Sequence, residues 1–394
     1  MNVGRAIASR DETSTKGIGP ETAATFYVTT ALLLTAIGLV NLYSATAFEV
    51  DGVGRVPGVF WRQLFWTVLA GGALLTVSRL DYRWVAQKAS WILSGVALLL
   101  AFLLLGWLGI DLGGESHGAH RWLRLGRLSV QPSEVAKLGL ILYVARYLVV
   151  KADRLADFRR GTMPLLAVIS LVTVLIALEP DLGTALFVFA TSLGLAIIGG
   201  LRVKHVLPVI LLALPPFLVF MAFNFGHVMK RVEAFRNPQA SYQLEQSLIA
   251  LGSGGLAGVG LGAGKGKLYY LPERTTDFSF SLLGEELGFL GALLVIVLFL
   301  ILVTLGTRIA LEARDSLGFL LAMGITLLVG TQAVANIAVV TASVPPKGIS
   351  LPFVSAGGSL QVMLFIGAGL MVSVARGAEA HRREAREKEA EESS

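Results

Sequence analysis

The sequence contains no cysteine, which excludes disulfides, thiolate metal sites and cysteine nucleophiles. Charge is scarce too. Asp, Glu, Lys and Arg make up 15% of the 394 residues, against about a quarter in a soluble domain. The five histidines show no metal-ligand spacing. Glycines crowd residues 252–266, but no Gly-Lys-Ser/Thr follows them, which argues against a nucleotide P-loop. Tight turns or close backbone approach are the better use of such glycines. No internal repeat of convincing period is present.

Hydrocarbon is what the chain has instead. It is 54% hydrophobic, with a mean hydropathy of +0.70, and reads as an all-α polytopic membrane protein. Ten apolar segments reach or approach the roughly 20 residues that a bilayer crossing requires. They lie near 24–46, 62–79, 89–110, 132–150, 163–179, 182–201, 206–224, 284–307, 317–342 and 357–375. Only Glu179-Pro180-Asp181 separates the fifth from the sixth, so a count of nine, with these fused or one re-entrant, is the alternative. The net charge of +6 comes from basic residues spread among the spans, which suits topology signals and a few anion contacts rather than nucleic acid. Even-numbered connections carry Arg79 and Arg83, Lys151 and Arg159, Arg202 and Lys204, and Arg308. The positive-inside rule then puts both termini in the cytoplasm. Residues 1–23 and 376–394 read as cytoplasmic tails around a transmembrane domain, 24–375. The exceptionally long connection 225–283, between spans seven and eight, faces outward.

That outer side is not free of positive charge. Arg121 lies in one outer loop, Arg231, Lys267 and Arg274 in the long one, and Lys347 in a third. Cations on the disfavoured side suggest an anionic ligand at the outer leaflet; headgroup contact and loop solubility are the plain alternative. Acids beside hydrocarbon tend to mark working sites. Glu273, Arg274, Asp277, Glu285 and Glu286 crowd the approach to span eight. Asp277 has two threonines before it and phenylalanines after it, a setting in which a carboxyl pKa can be tuned for proton transfer. Capping the helix or pairing with Arg274 would explain it as well. Glu134 and Lys137 share a helical face and can form an ion pair. Asp181 suits an N-cap of span six, and Glu285 and Glu286 suit the N-terminus of span eight. Trp122 beside Arg121 suits an interfacial anchor.

Several stretches, in order and at the right spacing over residues 24–375, together resemble the shape, elongation, division and sporulation family, the FtsW/RodA/SpoVE group of peptidoglycan polymerases. They are Leu42-Tyr43-Ser44-Ala45 with Arg62-Gln63, and Gly118-Ala119-His120-Arg121-Trp122 with Gln131-Pro132-Ser133-Glu134. Glu179-Pro180-Asp181-Leu182-Gly183 and Leu271-Pro272-Glu273 follow. Thr276-Asp277-Phe278, Glu285-Glu286-Leu287-Gly288, Asn336 and Pro346-Lys347-Gly348 through Gly357-Gly358 complete the set. Pro346-Lys347-Gly348 and Gly260-Leu261-Gly262 look more like the division branch. Ala356 and Leu360 depart from the family pattern beside the glycine pair.

The resemblance implies transfer of lipid-linked glycan at the outer face of the bacterial cytoplasmic membrane. Lipid II would be the substrate, undecaprenyl diphosphate the leaving group, and Asp277 the general base. It implies substrate contacts from Lys137, Glu134, Arg121, Arg231, Lys267, Glu273, Arg274, Lys347 and Ser355. It further implies a class B penicillin-binding protein transpeptidase and other division or elongation membrane proteins as partners. No cofactor is firmly implied; a loosely held magnesium or manganese ion on the diphosphate is compatible. A lipid II flippase and a non-catalytic division scaffold are the competing readings.

Overall fold

The computed structural model describes residues 18–49, 56–105, 122–125, 128–207, 225–237, 239 and 241–392. Within them the chain is almost wholly helical. α1 (Pro20–Thr46), α2 (Gly58–Arg79), the short α3 (Tyr82–Gln87), α4 (Ala89–Leu104), α5 (Pro132–Val150), α6 (Met163–Leu178) and α7 (Leu182–Ile198) come first. α8 (Phe225–Arg236) and α9 (Tyr242–Ser253) follow, then the long helices α10 (Ser279–Leu311), α11 (Ser316–Val340) and α12 (Gly358–Glu392). A small antiparallel hairpin, β1 (Leu123–Leu125) and β2 (Leu128–Val130), precedes α5 and pairs Leu123 with Val130.

Nine of the ten expected spans coincide with α1, α2, α4 to α7 and α10 to α12. Nearly all of the seventh lies outside the described residues. Among the described residues five helical stretches, including Pro20–Thr46 and Ser316–Val340, are long and apolar enough to cross a membrane; α4 and α7 are shorter apolar helices. The chain is therefore an all-α polytopic membrane protein. Glu179-Pro180 does separate two helices, and Asp181 caps the second by accepting from the Thr184 amide at 3.0 Å. The expected tail 376–394 begins inside α12, whose helix continues to Glu392.

Hydroxyls along these helices cost little in hydrocarbon because they return to their own backbone. Thr30 and Thr35 in α1 donate to the carbonyls four residues earlier at 2.8 and 2.9 Å. α2 and α10 flank the bundle, and α5, α11 and α12 supply much of its buried core through Leu140, Ile141, Leu321, Ile325, Phe365 and Met371. At one end, Asp315 caps α11 through the Gly318 amide at 2.7 Å and holds Arg83 at 2.7 Å, so α3 is tied to α11.

α10 is not one straight rod. Gly288 inside it has φ +70° and ψ −168°, a break in the helix. The backbone groups this frees are taken up by the glycine-rich segment that precedes the site. Phe289 N donates to Gly255 O at 2.9 Å and Leu290 N to Leu256 O at 3.1 Å; Val259 N donates to Glu285 O at 3.0 Å. A Cβ on Gly288 would lie 2.2 Å from Gly258 N, so two glycines make this approach possible. The break lets Ser279–Leu287 fold into the end of the bundle. The remainder, Phe289–Leu311, still runs about 35 Å at 1.5 Å per residue, enough to cross the hydrocarbon.

Candidate active site

Asp277 lies two residues ahead of α10, half-buried at the end of the bundle. Its Oδ1 accepts a hydrogen bond from Ser350 Oγ at 3.1 Å, and among the described residues no donor reaches Oδ2. Oδ2 faces Gly348: a Cβ there would stand 2.7 Å away. The Asp277 carbonyl accepts from Asn336 Nδ2 at 2.7 Å, and the same nitrogen donates to Ile349 O at 2.6 Å. Burial pushes the Asp277 carboxyl up to about 6. The Ser350 hydroxyl works against that rise, while the negative charges of Glu273, Asp181 and Glu134 add to it.

Two loop segments are stitched together to build this cradle. Ser355 Oγ donates to Thr276 O at 2.5 Å, accepts from Leu351 N at 2.8 Å and lies 2.7 Å from Ser279 Oγ. Ala356 N donates to Thr275 O at 2.8 Å. Ser355, 2% exposed, therefore spends its hydroxyl on the fold around Asp277. Glu273 and Phe353 adopt left-handed backbone at φ +50° and +64°. Such strain costs on the order of 1–3 kcal/mol per residue and clusters at functional sites.

A polar chain runs from α5 to the carboxylate. Lys137 Nζ donates to Glu134 Oε1 at 2.8 Å and to Gln332 Oε1 at 3.3 Å; Gln332 Nε2 donates to Ser350 O at 2.9 Å. The Glu134–Lys137 pair is thus structural in form, as its spacing allows, and at the site in place. Lys347, beside Gly348, lays its stem over the first turn of α7, where any side chain on Gly183 would overlap it.

The other expected residues lie elsewhere. Lys267 is buried against Glu286 at 3.3 Å and also donates to Gly262 O. Arg274 donates to Ala45 O at 3.3 Å and sits over the Phe48 ring at 5.2 Å. Glu273 is exposed and accepts from Thr276 Oγ1 at 2.8 Å. Arg231 is in α8, and Arg121 lies outside the described residues.

Glu285 and Glu286 do not open a helix. α10 begins at Ser279, and both acids are buried. Glu285 accepts from the Lys265 and Gly266 amides at 2.7 and 3.0 Å, and Glu286 accepts from Ser44 Oγ at 2.6 Å. Three residues of the site carried no role in the sequence reading. Ser350 and Asn336 fell within its stretches of resemblance, and Gln332, one turn before Asn336, carried no signal of its own.

The site is thus a half-buried carboxylate with a raised pKa and one oxygen without a donor among the described residues, set at the end of a helical bundle in a membrane protein, with Lys137 linked to it through Gln332 and Ser350. The chain belongs to the FtsW/RodA/SpoVE family of cell cycle proteins, whose model matches residues 24–380. It is 36% identical over 352 residues to a probable peptidoglycan glycosyltransferase FtsW of Geobacter metallireducens, covering 87% of this chain and 92% of the relative. It is likewise 36% identical to the stage V sporulation protein E of Bacillus subtilis, over 88% of this chain and 94% of that one. Among solved structures, one similar chain comes from a peptidoglycan synthase complex described for its coordination of polymerization and crosslinking. The TM-score is 0.72 at 28% identity, covering 89% of this chain and 97% of that chain. The rod shape determining protein RodA of Thermus thermophilus matches with a TM-score of 0.63 at 29% identity, over 89% and 95%.

Proposed function

We propose that this protein is a peptidoglycan glycosyltransferase that polymerises lipid II, with Asp277 as the general base. The observation that carries the reading is the Asp277 carboxylate, held by its backbone, raised toward neutrality and open at Oδ2. Ionised, it takes the proton from the 4-hydroxyl of the acceptor sugar. The oxygen bonds to the donor's anomeric carbon as the bond to the diphosphate breaks, and the electron pair leaves with undecaprenyl diphosphate. Glycosidases commonly need a second carboxyl to protonate a poor leaving group. A diphosphate leaves as a stable anion, so cations can replace that acid. Lys137 and Lys347 are the nearby candidates for this task. A loosely held divalent ion, magnesium or manganese, on the diphosphate would be compatible with this chemistry.

The placement of charge favours an enzyme over a flippase. Among the described residues the buried charged side chains are Lys137, Glu179, Lys267, Glu285 and Glu286, and all lie at the Asp277 end of their elements. A path for a headgroup through the bilayer would need polar groups along its length. In this reading the Asp277 end faces outward from the cytoplasmic membrane and both termini face the cytoplasm. An impermeant thiol reagent on intact cells should then label Lys265→Cys and spare Asp157→Cys and Ala385→Cys; the reverse pattern would invert the topology. The similarity to a chain of a peptidoglycan synthase complex supports a class B penicillin-binding protein as partner.

The deciding experiment reconstitutes the purified protein with lipid II in proteoliposomes, with and without the cognate transpeptidase. The reading expects glycan polymer. Lipid II crossing the bilayer without polymer would establish the flippase, and neither activity would leave a scaffold.

A further inference from the structure

Gln332 and Asn336 stand one turn apart on the same face of α11, buried at 1% and 0% exposure. Both reach the turn that cradles Asp277. Gln332 uses both ends of its amide, accepting from Lys137 Nζ and donating to Ser350 O. Asn336 gives the two protons of Nδ2 to two carbonyls, Asp277 O and Ile349 O. We propose that these two amides are positioning residues, which fix Asp277 and its Ser350 donor relative to each other and tie both to the Lys137 ammonium. The inference rests on the reading of Asp277 as the base.

The chemistry of the contacts selects amides. A hydrocarbon at 332 would leave an ammonium and a carbonyl unpaired, and unmet buried groups are costly. A carboxylate there would satisfy Lys137 but oppose the Ser350 carbonyl. At 336, an aspartate would set acceptors against two carbonyls. Neither amide touches the carboxylate, so each acts through the backbone that carries it. Displacing a reacting group by about 1 Å can cost ~100-fold in rate.

The charged groups around Asp277 are Glu273 on its own loop, Asp181 at the head of α7, Glu134 on α5 and, with opposite sign, Lys137 and Lys347 nearby. The Ser350 hydroxyl lowers the Asp277 pKa against that background. Releasing Ser350 should therefore raise it.

The test measures initial rates of lipid II polymerisation in proteoliposomes, against concentration and pH, for Asn336→Leu, Gln332→Glu and Ser350→Ala. Melting and gel filtration track folding. Asn336→Leu should lower kcat about 100-fold with KM within about threefold. Gln332→Glu should lower it about tenfold. Both Ser350→Ala and Gln332→Glu should move the acid limb of the profile to higher pH. Packing alone would lower the amount of folded protein and leave that limb in place. Wild-type kcat and wild-type pH profiles in Gln332→Glu and Ser350→Ala overturn the proposal, even where Asn336→Leu fails to fold. An active Asp277→Asn would instead overturn the base itself. An inactive Asp277→Asn beside three wild-type profiles removes the positioning role alone.

Discussion

Asp277 and the Glu285–Glu286 pair lie eight positions apart, and their carboxylates are treated in opposite ways. The two glutamates are 3% and 1% exposed and take donors from two loop amides, a serine and a lysine. Asp277 keeps part of its surface open, takes one donor from Ser350 and is held mainly through its backbone. A carboxylate buried among donors is a fastening that no substrate reaches. One that is partly desolvated with a free oxygen can accept a proton. The difference separates the acids that hold the glycine-rich segment from the acid proposed as the base.

Several measurements can break or sharpen this contrast. Glu286→Ala removes the partner of a buried lysine, and breaking such a pair typically costs about 3–5 kcal/mol. The variant should melt far below wild type in detergent; unchanged melting would make Glu286 something other than a fastening. Gly348→Ala sets a methyl 2.7 Å from Oδ2 at an exposed position. Folding should be untouched and the rate should fall, by about tenfold or more for a modest displacement. A wild-type rate would mean that Oδ2 is not where the chemistry occurs.

A smaller effect is expected from pH. A base works ionised, so kcat/KM should fall as pH drops through about 6 and level off above it. A profile flat from pH 5 to 8 would place the base elsewhere. Smallest of all should be Arg274→Ala. Its guanidinium packs on Phe48 and a carbonyl of α1's last turn, so the rate should stay within about twofold. A large rise in KM would move Arg274 into the substrate site.

Much of the fold is readable from hydropathy because lipid imposes it. α5 runs from Pro132 to Val150 as expected, with proline suited to the first turn. The Asp181 cap was legible because its partner, Thr184, is three residues away. The break at Gly288 was not. Apolar sequence continues through it, and its partner Gly258 lies thirty positions earlier. The same cause hid the role of Glu285 and Glu286, whose donors come from loops folded back onto α10. Asp277 could be picked out by its neighbours and the family resemblance. Gln332 could not, because its target at Ser350 is a backbone carbonyl, and backbone acceptors leave no mark in a sequence.

The most direct test is lipid II polymerisation by purified Asp277→Asn beside wild type. The amide is nearly isosteric and can keep the Ser350 contact, but it cannot take the acceptor's proton. Loss of a general base costs about 10²–10⁴-fold, so polymer should vanish while melting and membrane insertion stay near wild type. A variant that makes even half the wild-type product would contradict the account.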